Sequence, residues 1–187
     1  SNTAFPFGTA RPISVAGCPV LGLRVTYVGE LGWELHMPTE VVVTVYEALM
    51  ATGQVTNAGY RAIETLRLEK GYRAWGSDIG PDHTPVEAGL GWAVKLKKNI
   101  DFKGRAAIEA QVANGVRNRL ACFTVDNPDV VLLGRETIYR DGQRVGWLTS
   151  AGYGHTVGKP IGYGYVRNPA GVDEAFLASG RYELEVA

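Results

Sequence analysis

Two glycines three residues apart, set among strand-forming residues and two carboxylates, constrain this chain more than any other feature. The run is Arg24-Val-Thr-Tyr-Val-Gly-Glu-Leu-Gly-Trp-Glu-Leu35 and reads Tyr27-x-Gly29-Glu30-x-Gly32-x-Glu34. Glycine weakens a strand interior, so a strand built only for packing would not carry two here. In a strand, glycine marks a bulge or a place where another group approaches the backbone closely. The glutamate that follows is expected to project from a bent strand toward whatever fills that gap.

A carboxylate so placed suits a flat, guanidine-like ligand edge. Its two oxygens accept paired donors side by side. A pterin presents such a pair, its 2-amino group and ring N3–H. The alternative reading of the same residues is that Glu30 and Glu34 are solvated side chains flanking a bulged hairpin.

The 187 residues suffice for one or two domains with a proper core. The 45% hydrophobic and 20% charged content is that of an ordinary globular protein. Nineteen basic residues balance nineteen acidic ones, which gives no electrostatic support for nucleic acid or an anionic membrane as partner. No apolar run reaches the length of a transmembrane helix and no signal peptide is visible, so a cytoplasmic location is expected. Cys18 and Cys122 lack metal-type spacing and read as reduced core residues. His36, His83 and His155 are scattered, so no metal site is expected. His83 reads as part of a solvated loop, and His155 as part of an exposed glycine-rich loop or the mouth of a site. Trp33, Trp75, Trp92 and Trp147 read as core. Lys95-Leu-Lys-Lys98 reads as a solvated strand end. The chain opens on Ser-Asn, like the remnant of a cleaved tag, and stops in a strand-like run, so an excised piece of a longer polypeptide is expected.

The spacing predicts strands at 13–15, 20–28 and 33–37, with a turn at Gly17-Cys18-Pro19. Helices follow at 39–52, with Val41, Val42, Tyr46, Leu49 and Met50 on one face, and at 61–70, stopped by Gly71. Residues 75–90 are dense in turn formers, and Thr84-Pro85-Val86-Glu87 reads as a helix start. Trp92 to Lys97 alternates like a strand, and a short helix spans 104–112. From Val116 onward come strands at 119–125, 136–140, 144–150, 161–166 and 181–186. Asp141-Gly142 is a strong hairpin signal. Such spacing suggests a small antiparallel barrel or sandwich.

Four segments recur in one order: the Tyr27-to-Glu34 run, Leu66-Arg-Leu-Glu-Lys-Gly71, Thr84-Pro-Val-Glu-Ala-Gly89 and Phe102-Lys-Gly104. Together they resemble the aminomethyltransferase family, the glycine-cleavage T-protein. Tyr72-Arg73, Trp75-Gly76 and Asp78 bring the resemblance to the folate domain fused to dimethylglycine and sarcosine dehydrogenases or oxidases. Gly152-Tyr-Gly-His-Thr-Val-Gly158 is similar to the family's C-terminal barrel. The resemblance implies an α+β fold: a partial folate-binding mixed α/β domain over 1–113, the second half of that domain, and a small antiparallel β-barrel over 114–187. It implies tetrahydrofolate as cofactor and a methylated amine as substrate, the methylene unit being captured as 5,10-methylenetetrahydrofolate.

Carried over residue by residue, Glu34 falls on the glutamate that grips the pterin edge and Tyr27 on the tyrosine beside the pterin. Ile63-Glu64 stands where glycine-cleavage members carry an Arg-Asp pair that contacts folate, and Arg67 reads as mainly structural. The family's catalytic aspartate lies in the half preceding this chain, so no catalytic residue is assigned and the fragment alone is expected to be inactive. A flavin (FAD) would belong to an upstream part of the parent. An uncovered half-domain surface is expected to drive homo-oligomer formation. The second function class that fits is a non-catalytic regulatory or folate-sensing relative with the same fold.

Overall fold

A computed structural model describes residues 2–186. The chain divides into two compact units, one ending at Lys70 and the other starting at Gly71. Both carry antiparallel sheets, and the architecture is α+β as the sequence implied.

In the first unit, β1 (Ala10–Val15), β2 (Cys18–Leu23) and β3 (Glu34–His36) form a three-stranded sheet in that order. The β1–β2 turn lies at Ala16-Gly17, with φ of 50° and 78°, and not at Gly17-Cys18-Pro19. Positive φ at both central residues is the twist a two-residue hairpin demands. Strand β2 stops at Leu23, five residues before the expected end, and pairs with Glu34 across a ten-residue loop. The strands expected at 20–28 and 33–37 are therefore the shorter arms of a wide hairpin.

Helix α1 (Thr39–Met50) buries Val45, with Val41, Ala48 and Leu49 partly covered beside it. These fall at i, i+4, i+7 and i+8, one face of a 3.6-residue period. Val42 and Tyr46, expected on that face, lie on the exposed flank. A run of adjacent valines leaves the phase of the stripe ambiguous. Helix α2 (Tyr60–Glu69) buries Arg67 and Leu68. The Arg67 Nε and Nη2 both donate to one Glu64 oxygen, at 3.0 and 2.7 Å, and this pair spans one helical turn.

The second unit opens with turns. Thr84 and Glu87 make the reciprocal bonds of a capping box: Glu87 Oε2 accepts from Thr84 N–H and Oγ1, and Thr84 Oγ1 accepts from Glu87 N–H. The helix it announces lasts one turn. The strand expected over 92–97 is instead a 3₁₀ turn at Gly91–Ala93 followed by further turns. Alternation makes a segment suited to a sheet, but no described strand pairs with this one, and a strand without a partner does not persist. Helix α3 (Arg105–Asn114) follows.

The second sheet contains β4 (Asn118–Thr124), β5 (Thr137–Arg140), β6 (Gln143–Gly154), β7 (Lys159–Arg167) and β8 (Tyr182–Glu185) in the order β4-β7-β6-β5-β8, all antiparallel. Asp141-Gly142 forms the expected hairpin, with φ of 51° and 77°. The sheet curls until its two edges meet. Phe123 of β4 and Tyr182 of β8 lie 5.3 Å apart between centroids, over a core of Leu132, Ile138 and Leu148. A five-residue helix, α4 (Glu174–Ala178), was not expected. Its signal was present in Asp173, which caps it by accepting from Phe176 N–H at 2.7 Å.

A buried carboxylate ties the turns to this sheet. Asp78 is fully buried. Its Oδ1 accepts from Thr149 Oγ1 at 2.6 Å and Ser150 Oγ at 2.5 Å, and its Oδ2 from Ala74 N–H at 2.9 Å. Tyr165 Oη donates to the Asp78 carbonyl at 2.8 Å. Burial first, then the Glu87 and Asp78 carboxylates, holds the Tyr165 phenol protonated far above its ordinary range. Replacing Asp78 by Ala strands the Ser150 hydroxyl and the Ala74 N–H and leaves Thr149 Oγ1 with only the longer 3.2 Å bond to the Tyr163 carbonyl, a loss of about 3 kcal/mol. The expected outcome is a clearly lower urea midpoint for the barrel, followed by tryptophan fluorescence; an unchanged midpoint would show that the carboxylate is dispensable.

Candidate functional site

The ten-residue loop 24–33 and the first residue of β3 carry the proposed ligand residues. Gly29 adopts φ +71°, and a Cβ there would stand 2.3 Å from Lys70 Cγ and 2.7 Å from Lys70 Cδ. The group that approaches this glycine is thus the stem of Lys70. Its ammonium then reaches Glu30 at 2.9 Å. At Gly32 an added Cβ would meet only ordinary contact, Thr26 Cβ at 3.4 Å, and Thr26 Oγ1 accepts from Val28 N–H at 3.1 Å.

Gly29 is therefore packed by this chain's own Lys70, and Glu30 pairs with the same lysine at the surface, its side chain 62% exposed. Tyr27 is 39% exposed on the loop. Glu34 lies at its end with its side chain 55% exposed, and one carboxylate oxygen lies 3.4 Å from His36 Nε2. That contact is long for a charged hydrogen bond and sits in water, so it contributes little. The loop thus carries a phenol at Tyr27 and, at its end, a Glu34 carboxylate with acceptor capacity to spare. That chemistry fits an edge with two adjacent N–H donors.

At the position of the Arg-Asp pair, Glu64 is occupied by Arg67. A hydrogen bond from the Tyr60 phenol to the same carboxylate raises the Tyr60 pKa. Arg67 is fully buried, in keeping with a structural role.

Other expectations are corrected. His83 is not a solvated side chain: its ring stacks on Tyr165 at 4.4 Å and 12°, and its Nδ1 is buried without a hydrogen-bond partner. His155 is exposed, its ring edge-on to Tyr153. The four tryptophans are not core; Trp75 and Trp92 are each 74% exposed. Cys18 and Cys122 are free thiols, half-buried and exposed rather than core. A groove of about 900 Å³ in the second unit is lined by Val86, Trp92, Leu96, Val112 and Arg119, with Lys95, Lys97 and Lys98 at its margin. Neither Tyr27 nor Glu34 lines it. Among the described residues no group of three His, Cys, Asp or Glu could hold a metal ion.

The family model for the GCVT N-terminal domain matches residues 1–98. That for the glycine cleavage T-protein C-terminal barrel domain matches residues 118–187. This chain belongs to the glycine cleavage T-protein family. Mouse (Mus musculus) mitochondrial sarcosine dehydrogenase is 49% identical over 190 residues, covering 99% of this chain and 21% of that protein. Human (Homo sapiens) mitochondrial dimethylglycine dehydrogenase is 40% identical over 169 residues, covering 89% of this chain and 20% of that protein. The mouse mitochondrial pyruvate dehydrogenase phosphatase regulatory subunit is 39% identical over 183 residues, covering 89% and 21%. The T-protein chain thus spans about a fifth of the length of these relatives. The crystal structure of glycine cleavage system aminomethyltransferase T from Bartonella henselae superposes with a TM-score of 0.76 at 28% identity, covering 86% of this chain and 44% of that one.

The packing of Lys70 on Gly29 makes one residue diagnostic. Gly29→Ala combines a positive φ with a clash against a side chain, and about 1–2 kcal/mol of destabilisation is expected from the backbone alone. Urea denaturation measures it, and Lys70→Gly in the same background, which removes Cβ, Cγ and Cδ together, should recover part of the steric cost. No recovery would show that Lys70 does not set the loop.

Proposed function

We propose that this chain is the tetrahydrofolate-binding C-terminal portion of a one-carbon-transfer enzyme of the sarcosine or dimethylglycine dehydrogenase type. The observation that carries the reading is the division of labour in loop 24–34. Gly29 and Glu30 are engaged by Lys70, whereas Glu34, on the same solvent-exposed run, meets His36 only at a long 3.4 Å. Glu34 would accept the pterin 2-amino and N3–H donors, and Tyr27 would lie beside the ring. When bound, tetrahydrofolate supplies two amine nitrogens that take up a methylene unit from an iminium, releasing the demethylated amine with both displaced protons.

The parent's amine oxidation, and an FAD to accept its electrons, belong to polypeptide outside this chain, as does the carboxylate that would assist proton transfer at folate N10. On its own the fragment is expected to be inactive. The second reading, a non-catalytic relative, is favoured by the likeness to a phosphatase regulatory subunit. The partners proposed are folate and a methylated amine, with no nucleic acid and no membrane. Among the described residues no helix is long and apolar enough to cross a membrane. The cytoplasmic location stays a proposal, and the three relatives named above carry "mitochondrial" in their names.

Removing a charged hydrogen-bond partner from the site should cost about 1.5–3 kcal/mol of binding. Calorimetry on the full-length protein should therefore show clearly weaker tetrahydrofolate binding for Glu34→Ala; an unchanged affinity would sink the assignment. The first unit also exposes Leu21, Leu31, Trp33, Val43 and Tyr46. A second copy is the proposed cover. Light scattering of the isolated chain should show association that grows with concentration, and a monomer throughout would refute it.

A further inference from the structure

Arg24 is 6% exposed, yet among the described residues no carboxylate pairs with it. A buried cation without a counter-ion is costly unless other groups replace its water. Here Nη1 donates to the Phe5 carbonyl and Nη2 to Asn2 Oδ1, each at 2.9 Å. The guanidinium carbon lies over the Trp33 ring, 4.7 Å from its centre. Its backbone is held as well: Arg24 N–H donates to the Thr9 carbonyl, and Gly8 N–H donates to the Arg24 carbonyl, both at 2.9 Å.

The position of this stack matters. Strands β2 and β3 pair as Leu21↔His36, Gly22↔Leu35 and Leu23↔Glu34. The next step of the same register brings Arg24 opposite Trp33. These are the first and last residues of the loop, so the stack closes its neck. Tyr27 follows Arg24 by three residues, and Glu34 follows Trp33 directly. A ten-residue loop left open at its base samples many conformations; one clamped at its base presents both side chains at a fixed separation, and preorganisation of that kind raises affinity. Phe5 also contacts this indole, tilted at 59° with 6.3 Å between centroids.

We infer that Arg24 is a positioning residue: by stacking on Trp33 it fixes the spacing of Tyr27 and Glu34 and so sets the affinity of the site for a pterin-type ligand. This rests on the folate reading above. Arginine suits the task because its planar, weakly hydrated fork stacks and donates at once, which an ammonium does not do.

The test uses the full-length protein, with tetrahydrofolate affinity from calorimetry and folded fraction from thermal unfolding. Arg24→Lys keeps the charge and loses the plane; binding about tenfold weaker is expected, the equivalent of ~1.4 kcal/mol, measured on folded protein. Trp33→Leu should weaken binding by a similar factor. The double variant should be no weaker than the poorer single one, because both remove one stack. A structural role alone would lower the unfolding temperature and leave the affinity of the folded fraction intact. Where Arg24→Lys folds poorly, Trp33→Phe carries the test, with about threefold weaker binding expected from the smaller ring face. Wild-type affinity in the folded single variants, or independent multiplying effects in the double, overturns the inference while a weakened Glu34→Gln leaves the folate reading standing. If Glu34→Gln binds as well as wild type, the folate reading falls and this inference with it.

Discussion

The second unit depends on one carboxylate that water does not reach. Asp78 collects two hydroxyls from adjacent residues of a single strand, which is unusual because neighbours on a strand point to opposite faces. The register of β6 against β7 explains it. Pairing shifts between Leu148 and Ser150, so Thr149 is an extra residue and the two side chains turn to one side. The bulge thereby makes a two-donor cradle, and Asp78 fills it. Because Tyr165 holds the same residue by its carbonyl and His83 stacks on that phenol, the turn-rich segment after Gly71 is fastened to the sheet at one place by several groups. A network of this kind is stable when complete and costly when any member is lost.

The first unit works by contact with glycine. Glycine in the 24–35 run has a close neighbour, as the sequence suggested, but the neighbour at Gly29 is this chain's own Lys70. That finding narrows the ligand question. Glu30 pairs with the lysine, which leaves Glu34 as the carboxylate of the run without a lysine or arginine partner among the described residues, its contact being the long one to His36. The loop that carries Tyr27 and ends at Glu34 is shut at its neck by Arg24 and Trp33, so rigidity at the base and access at the top coexist.

Local signals were legible where a feature depends on neighbours in sequence. Asp141-Gly142 formed its hairpin, Gly71 followed the end of α2, and Thr84 with Glu87 formed their reciprocal cap. Features decided by distant partners were not. The alternation of 92–97 offered a strand without anything to pair with, and the valines of α1 allowed two phases for its buried stripe. The aromatic content of Trp75 and Trp92 suggested a core that the structure does not build around them. The Thr149 bulge, which organises the Asp78 network, has no mark in the sequence beyond two adjacent hydroxyl residues. The proposed site residues stood out as a motif, but the sequence could not tell which of its two carboxylates would be paired, since that is decided by a lysine forty positions from Glu30.

The central claim is that Glu34 and Tyr27 receive a pterin. The most direct measurement is a crystal structure of the full-length protein with tetrahydrofolate bound. The account predicts the pterin 2-amino group and N3–H within hydrogen-bond distance of the Glu34 carboxylate, with the Tyr27 ring against the pterin and the Arg24–Trp33 stack intact. A pterin bound elsewhere, with Glu34 still facing His36 in water, would contradict it.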